Sequence, residues 1–138
     1  MDNTMALLLS DTYKQCHDRM YPKGLTKLVS YWVPRKSMLE NQNEMVFFGL
    51  QAFIKEYLMG YFQKNFFDLS EDEMLTLYTD SMDVQIGRDN YDLDKIVELH
   101  RLGYLPLEIR ALPEGTLVPM GVPCIEITNT DDKFAWLV

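Results

Sequence analysis

The hydrophobic pattern of this chain changes period once, and that change constrains the fold more than any other feature. From Glu44 to Gly103 apolar residues recur at spacings of three and four. After Gly103, Leu107, Ile109 and Ala111 alternate with Glu108 and Arg110, a period of two. The first spacing keeps one face of a helix apolar, and the second does the same for a strand. A chain that switches in this way is expected to be α+β, with a mixed or antiparallel sheet and three or four helices. Its 138 residues fit one domain, 1–138, and suffice for a real core.

Local signals place the elements. Thr26 to Val33 is rich in Val, Thr, Tyr and Trp and reads as a strand that Pro34 ends. Val46, Phe47, Leu50, Ile54, Tyr57, Leu58 and Tyr61 share one helical face, so the spacing predicts a helix from Glu44 to Phe67. Within it, Gly49 suggests close packing against another backbone, and Gly60 is a point where the helix can end. Ser70 and Glu73 form a capping box opening a second helix that runs to about Val84. Asp89 to Asp92 opens a third, with Leu93, Ile96, Val97 and Leu99 as its apolar face and Gly103 as its end. Thr116–Val118 and Cys124–Thr128 read as short strands, and Asn129 to Asp131 as another helix start. The chain then closes on Phe134, Trp136, Leu137 and Val138, as if a helix were cut in its first turns. Those four side chains are expected to be poorly buried and the sheet to keep an uncapped edge, a combination that favours association.

Charge and cysteines narrow the function. Residues 1–38 hold six Lys/Arg against three Asp, whereas residues 39–138 hold seven Lys/Arg against eighteen Asp/Glu, for a net charge of −8. A nucleic-acid binder of this size is expected to be basic overall, so nucleic acid is set aside as a partner. A basic segment in an acidic chain suits a small anionic ligand. No apolar run is long enough to span a membrane, and the N-terminus lacks a basic signal region, which points to the cytoplasm. Cys16 and Cys124 belong to no CxxC pair. Asp80, Asp83, Asp89, Asp92 and Asp94 lack the glycine and closing glutamate of a calcium loop, and no glycine-rich phosphate loop is present. His100 reads as a surface residue late in a helix. Cys16 and His17 are adjacent and point apart on a helix, so they make no catalytic dyad. The segment from Ser10 to His17, with Tyr21-Pro22 and the stretch Tyr31 to Arg35, concentrates an acid, aromatic rings and cations. That composition suits an anionic ligand carrying a flat ring.

Four stretches in order then resemble the N-terminal part of the nicotinamide phosphoribosyltransferase family. Asp11-Thr12-Tyr13-Lys14-Gln15-Cys16-His17 with Tyr21-Pro22 is similar to the family's D-S-Y-K-x-x-H…Y-P opening, with Thr12 in place of the usual serine. Ser30-Tyr31-Trp32-Val33-Pro34-Arg35 is similar to an S-Y-F…R strand, and Val46-Phe47-Phe48-Gly49-Leu50-Gln51 to V-F-Y-G-L-Q. The fourth runs from Leu105 to Gly115 and continues in Ile127 to Asp131 and Trp136-Leu137. The region from Asp68 to Tyr91 matches poorly.

The resemblance implies the N-terminal part of a type II phosphoribosyltransferase fold, without its α/β barrel. It implies a role in joining nicotinamide to phosphoribosyl pyrophosphate, giving the mononucleotide and pyrophosphate, with Mg2+ assisting in the complete enzyme. It also implies a homodimer, or a partner chain carrying the barrel, with sites built at the subunit interface. By the motif match Tyr13 would stack on the pyridine, Asp11 would lie near the ribosyl side and Arg35 would contact phosphate. The barrel, the second stacking aromatic and the acid that reads the carboxamide come later in the family, as do strands completing the first domain. No catalytic residue and no metal site is therefore expected here, and the chain alone is expected to be inactive. The competing reading is a stand-alone interaction module that binds or regulates a full-length enzyme. The base, nicotinamide or nicotinic acid, is not encoded in this segment.

Overall fold

The computed structural model describes residues 4–88 and 90–138. Asp89, named above at a helix start and in the acidic cluster, lies outside the described residues. The chain divides into two compact units, each assembled from separated stretches. One comprises the residues up to Lys23 with Phe53–Leu105, and the other Gly24–Ala52 with Pro106–Val138.

The second unit holds the strands. β1 (Val29–Trp32), β3 (Leu107–Ala111) and β5 (Ile125–Asn129) form an antiparallel sheet in the order β1-β5-β3. Tyr31 faces Glu126 across one pairing and Arg110 faces Glu126 across the other. Asn129, almost wholly buried, fastens the sheet's end: its side chain accepts from the Leu28 N–H at 2.9 Å and donates to the Thr26 and Asp131 carbonyls. β2 (Glu44–Val46) pairs antiparallel with β4 (Leu117–Pro119), Met45 opposite Val118. Phe47, Val118 and Cys124 form the core beside this ribbon, with Met45, Leu50, Leu112 and Ile125 packed around them.

β2 corrects the expectation of a helix from Glu44. Val46, Phe47 and Leu50 satisfy a helical spacing equally well as a strand followed by a turn. Here Phe47 turns into the core and is pinned through its backbone to Thr116 and Gly115, while Val46 stays exposed. Gly49 then adopts φ +97°, a left-handed conformation that a helix cannot run through, and nothing lies within 4 Å of where its side chain would be. Gly49 therefore serves a backbone turn and makes no close packing contact. The helix starts at Leu50, and the Glu114 carboxylate accepts the Gln51 N–H at 2.9 Å, a favourable charge at a helix start. After α1 (Leu50–Phe53) the winding widens into π-type turns, Ile54–Tyr61 and Gln63–Phe67. Gly60 does not end the helix. A Cβ there would come 3.1 Å from the Lys55 carbonyl, so the missing side chain gives that widened winding its room.

The first unit is helical. α2 (Glu71–Gln85) carries the expected capping box, with the Glu73 carboxylate accepting from Ser70 N–H at 3.0 Å and the Ser70 hydroxyl accepting from Glu73 N–H at 3.3 Å. α3 (Leu93–Leu102) is capped by Asp92 and closed by Gly103. Met74, Tyr78 and Met82 of α2, Ile96 and Leu99 of α3, and Phe66 are buried. His100 departs from the surface position expected of it. It is half-buried, its Nε2 lies 2.9 Å from the Leu69 carbonyl, and its ring meets Phe66 edge-on at 5.4 Å.

The last helical turn, Asp132–Leu137, is capped by Asp131. It corrects a second expectation. Phe134 is 3% exposed, and Trp136, Leu137 and Val138 are half-buried, because the turn folds back beside β5. Among the described residues no helix is long and apolar enough to cross a membrane.

Candidate functional site

Asp11 and Tyr13 open a 3-10 segment, Thr12–Met20, of which no residue is buried. Two apolar side chains, Tyr13 and Cys16, precede Met20 in it, so apolar packing contributes little to its position. Polar contacts take over that task. Thr12 Oγ1 donates to Gln85 Oε1 at 2.6 Å, and Gln15 Nε2 donates to the Leu7 carbonyl at 2.7 Å and to Ser10 Oγ at 2.6 Å. Asp18 pairs with Lys95 of α3, both side chains largely buried. Behind the segment, burial pushes the Tyr78 hydroxyl well above the usual tyrosine range, with Asp18 adding to the effect. Tyr78 stays a neutral donor there, facing Gln15 Oε1 at 3.4 Å.

Tyr13 itself is 59% exposed, and its ring lies 5.1 Å from that of His17, tilted by 54°. Asp11 is exposed, and no side-chain hydrogen bond from it caps the segment. Of the three residues singled out from the sequence, these two stand together on the first unit. An exposed ring with an acid two residues before it can stack on a flat base and stabilise a developing positive charge beside that base.

Arg35 belongs to the second unit, where the chain leaves β1. Pro34 before it is buried, and the Pro34 carbonyl accepts the Gly121 N–H at 2.7 Å, which fixes the backbone under an exposed guanidinium. On the same unit the sheet carries a charged row. Tyr31 and Glu126 hydrogen-bond across the strands, and that carboxylate raises the Tyr31 hydroxyl above its ordinary range. Arg110 donates to Glu108 at 2.9 Å and lies 4.0 Å from Glu126. Arg110 is thus internally paired, whereas Arg35 projects from the surface.

With these surfaces in view, the comparisons decide the family. The sequence profile of the nicotinamide phosphoribosyltransferase N-terminal domain matches residues 5–109, a span that includes Asp11, Tyr13 and Arg35. The chain belongs to this family. A nicotinamide phosphoribosyltransferase of Acinetobacter baylyi is 39% identical over 132 residues, covering 92% of this chain and 26% of that protein. One from Xanthomonas campestris is 32% identical over 132 residues, covering 95% and 26%. The crystal structure of human nicotinic acid phosphoribosyltransferase matches with a TM-score of 0.58 at 20% identity, over 94% of this chain and 23% of that one. That likeness speaks for the fold, which is the barrel-free α+β N-terminal part of such a phosphoribosyltransferase. The chain spans about a quarter of the length of the relatives it matches.

Sequence reasoning missed Gln15, the Asp18–Lys95 pair and Asn129. A signal for the first two was present: polar residues recur every third position at Thr12, Gln15 and Asp18, the period of a 3-10 helix. Asn129 was read as part of a helix start, whereas the capping side chain is that of Asp131, which accepts from Lys133 N–H at 2.9 Å.

Proposed function

We propose that this chain acts as the N-terminal portion of a nicotinamide phosphoribosyltransferase, contributing substrate contacts and a dimer surface, and that it does not catalyse alone. The observation that carries the reading is Tyr13, exposed on a segment that the family profile matches, with Asp11 beside it. Transfer of the phosphoribosyl group develops positive charge on the sugar and negative charge on the departing pyrophosphate. In this reading Tyr13 stacks on the pyridine ring, the Asp11 carboxylate lies near the ribosyl cation and Arg35 holds phosphate. The proposal that the chain is inactive alone is supported by the relatives' length, of which this chain matches 26%.

Mg2+ belongs to the same reading as a component of the complete enzyme. Among the described residues no group of three or more His, Cys, Asp or Glu side chains could hold a metal ion by itself.

The dimer surface is assigned to the end of α1 and the helical stretch that follows it. Phe53, Tyr57 and Met59 are exposed there, and the rings of Phe53, Tyr57 and Tyr61 follow one another at 5.3 and 6.5 Å. Contiguous apolar surface of this kind marks an interface. A cytoplasmic location and a homodimer, or a partner chain that carries the barrel, complete the reading.

The test is a chimera. The matching N-terminal region of the Acinetobacter baylyi enzyme is replaced by this chain, and mononucleotide formation from nicotinamide and phosphoribosyl pyrophosphate is measured. The chimera is expected to turn over and the purified chain alone to give no product. In the chimera Tyr13→Ala should raise KM for nicotinamide, and Arg35→Ala should weaken phosphoribosyl pyrophosphate with a stronger salt dependence. Turnover by the chain alone, or indifference of the chimera to both substitutions, overturns the reading.

A further inference from the structure

Nine residues of 3-10 helix, Thr12–Met20, are more than that winding normally sustains. Its hydrogen bonds are poorer than those of an α-helix, and here no buried apolar side chain compensates. Something outside the segment must hold it, and the geometry shows what does. In a 3-10 helix residues three apart lie on one line along the surface. Thr12, Gln15 and Asp18 form such a line, and each is tied to the body of the first unit: Thr12 to Gln85, Gln15 to Leu7 and Ser10, Asp18 to Lys95. At 3.6 residues per turn the three would diverge by about 60° at each step and spread over about 120° of the surface, whereas the 3-10 winding keeps them in one straight row. The polar row therefore favours the 3-10 winding, and the winding sets where Tyr13 stands.

Gln15 is the centre of the row and does the most specific work. Its amide nitrogen has two hydrogens, and the Leu7 carbonyl and Ser10 hydroxyl take one each. These bonds close a loop from Ser10 to Gln15 that has Tyr13 inside it, and the Lys14 N–H bond to the Asp11 carbonyl at 2.9 Å tightens that loop. We infer that Gln15, with Thr12 and Asp18 on the same row, is a positioning residue that holds the Tyr13 ring in the orientation offered to a flat heteroaromatic base. The inference rests on the reading above for the identity of the base, but the positioning itself has its own signature.

That signature is the Tyr13–His17 ring contact, which an NMR cross-peak between the two rings reports in the 138-residue chain. Gln15→Met keeps the side-chain length and removes both donors. The cross-peak is expected to be lost while the amides of α2 and α3 keep their protection from hydrogen exchange. A cross-peak that survives unchanged overturns the inference. If Gln15→Met also strips protection from α2 and α3, Gln15→Glu decides, since it keeps the shape and an acceptor for Tyr78. Loss of the ring contact with protection retained supports positioning, and loss of both in both variants assigns Gln15 to the fold and overturns it. The nicotinamide KM of the chimera separates the two claims. If Tyr13→Ala leaves that KM unchanged while Gln15→Met still abolishes the ring contact in the 138-residue chain, the base reading fails and the positioning stands.

Discussion

Replacing Tyr13 by alanine separates a residue presented to a ligand from one that supports the fold, and burial fixes the scale of the difference. A tyrosine removes roughly 200 Å² from water when fully buried. Tyr13 keeps 59% of its surface exposed, so the apolar area at stake is well under half of that. At ~25 cal/mol per Å², about 80 Å² corresponds to at most ~2 kcal/mol. The alanine methyl and the compactness of the unfolded chain each reduce the figure, leaving about 1 kcal/mol. Tyr78, by contrast, is wholly buried, as are Phe66, Met74, Met82 and Leu99 of the same unit. Its truncation is expected to cost about 3–5 kcal/mol through lost packing and a cavity. Urea denaturation followed by far-ultraviolet circular dichroism compares the two directly. The midpoint of Tyr13→Ala should stay near that of the unsubstituted chain, while Tyr78→Ala should shift far down or fail to fold. In the chimera described above, the same Tyr13→Ala should weaken the base by ~1–3 kcal/mol, the range found for bases stacked on aromatic side chains. A loss of stability for Tyr13→Ala as large as for Tyr78→Ala, with base affinity intact, would show that the ring is structural and refute the reasoning.

Three further outcomes follow from local geometry. Ser70→Ala removes the cap of α2 and should cost about 1 kcal/mol in chemical denaturation. Hydrogen bonds from the Ser70 hydroxyl and N–H hold the Glu73 carboxyl below its ordinary value, and the Arg101 guanidinium does the same to Glu71. Folded values below the unfolded ones mean that this stability is present above about pH 4.5 and is lost as pH falls through the folded values, so the acid limb of a stability–pH curve should be shallower in Ser70→Ala. Burial raises the Cys124 thiol, so a thiol reagent should modify half-buried Cys16 first and reach Cys124 after denaturation; equal rates in the native chain would contradict that. Gly49→Ala places a side chain at φ +97° and should cost about 1–2 kcal/mol, measured by thermal unfolding; no change would mean the turn relaxes to another conformation.

The elements that could be read from the sequence are those set by neighbours in the chain. The Ser70 capping box, the end of α3 at Gly103 and the alternation of β3 depend on residues a few positions apart, and all three stand where they were expected. Glu44–Val46 was misread because its strand identity comes from β4, which is remote in sequence, while its own apolar spacing suits a helix as well. Phe134 was misread for the same reason: its burial depends on a turn that packs back on β5. In the candidate site, Asp11, Tyr13 and Arg35 are exposed. Hydrophobic periodicity does not report the docking of the segment that carries Asp11 and Tyr13, because it marks apolar faces; the one sequence signal for it is the polar recurrence at Thr12, Gln15 and Asp18.

The sheet order has a consequence for the timing of assembly. β5 lies between β1 and β3 but follows both in the sequence, and the Thr128 hydroxyl bonds the Leu28 carbonyl across 100 positions. During synthesis β1 leaves the ribosome with Tyr31 and Trp32 and waits unpaired until the central strand arrives. At about 5–20 residues per second that interval is several seconds, far longer than a hairpin needs to close. The helical unit, by contrast, has its α2 and α3 complete by Leu102 and can condense within that interval. The early strand is the vulnerable one: until β5 emerges, β1 is an aromatic edge open to chaperones or to the same strand of a neighbouring nascent chain.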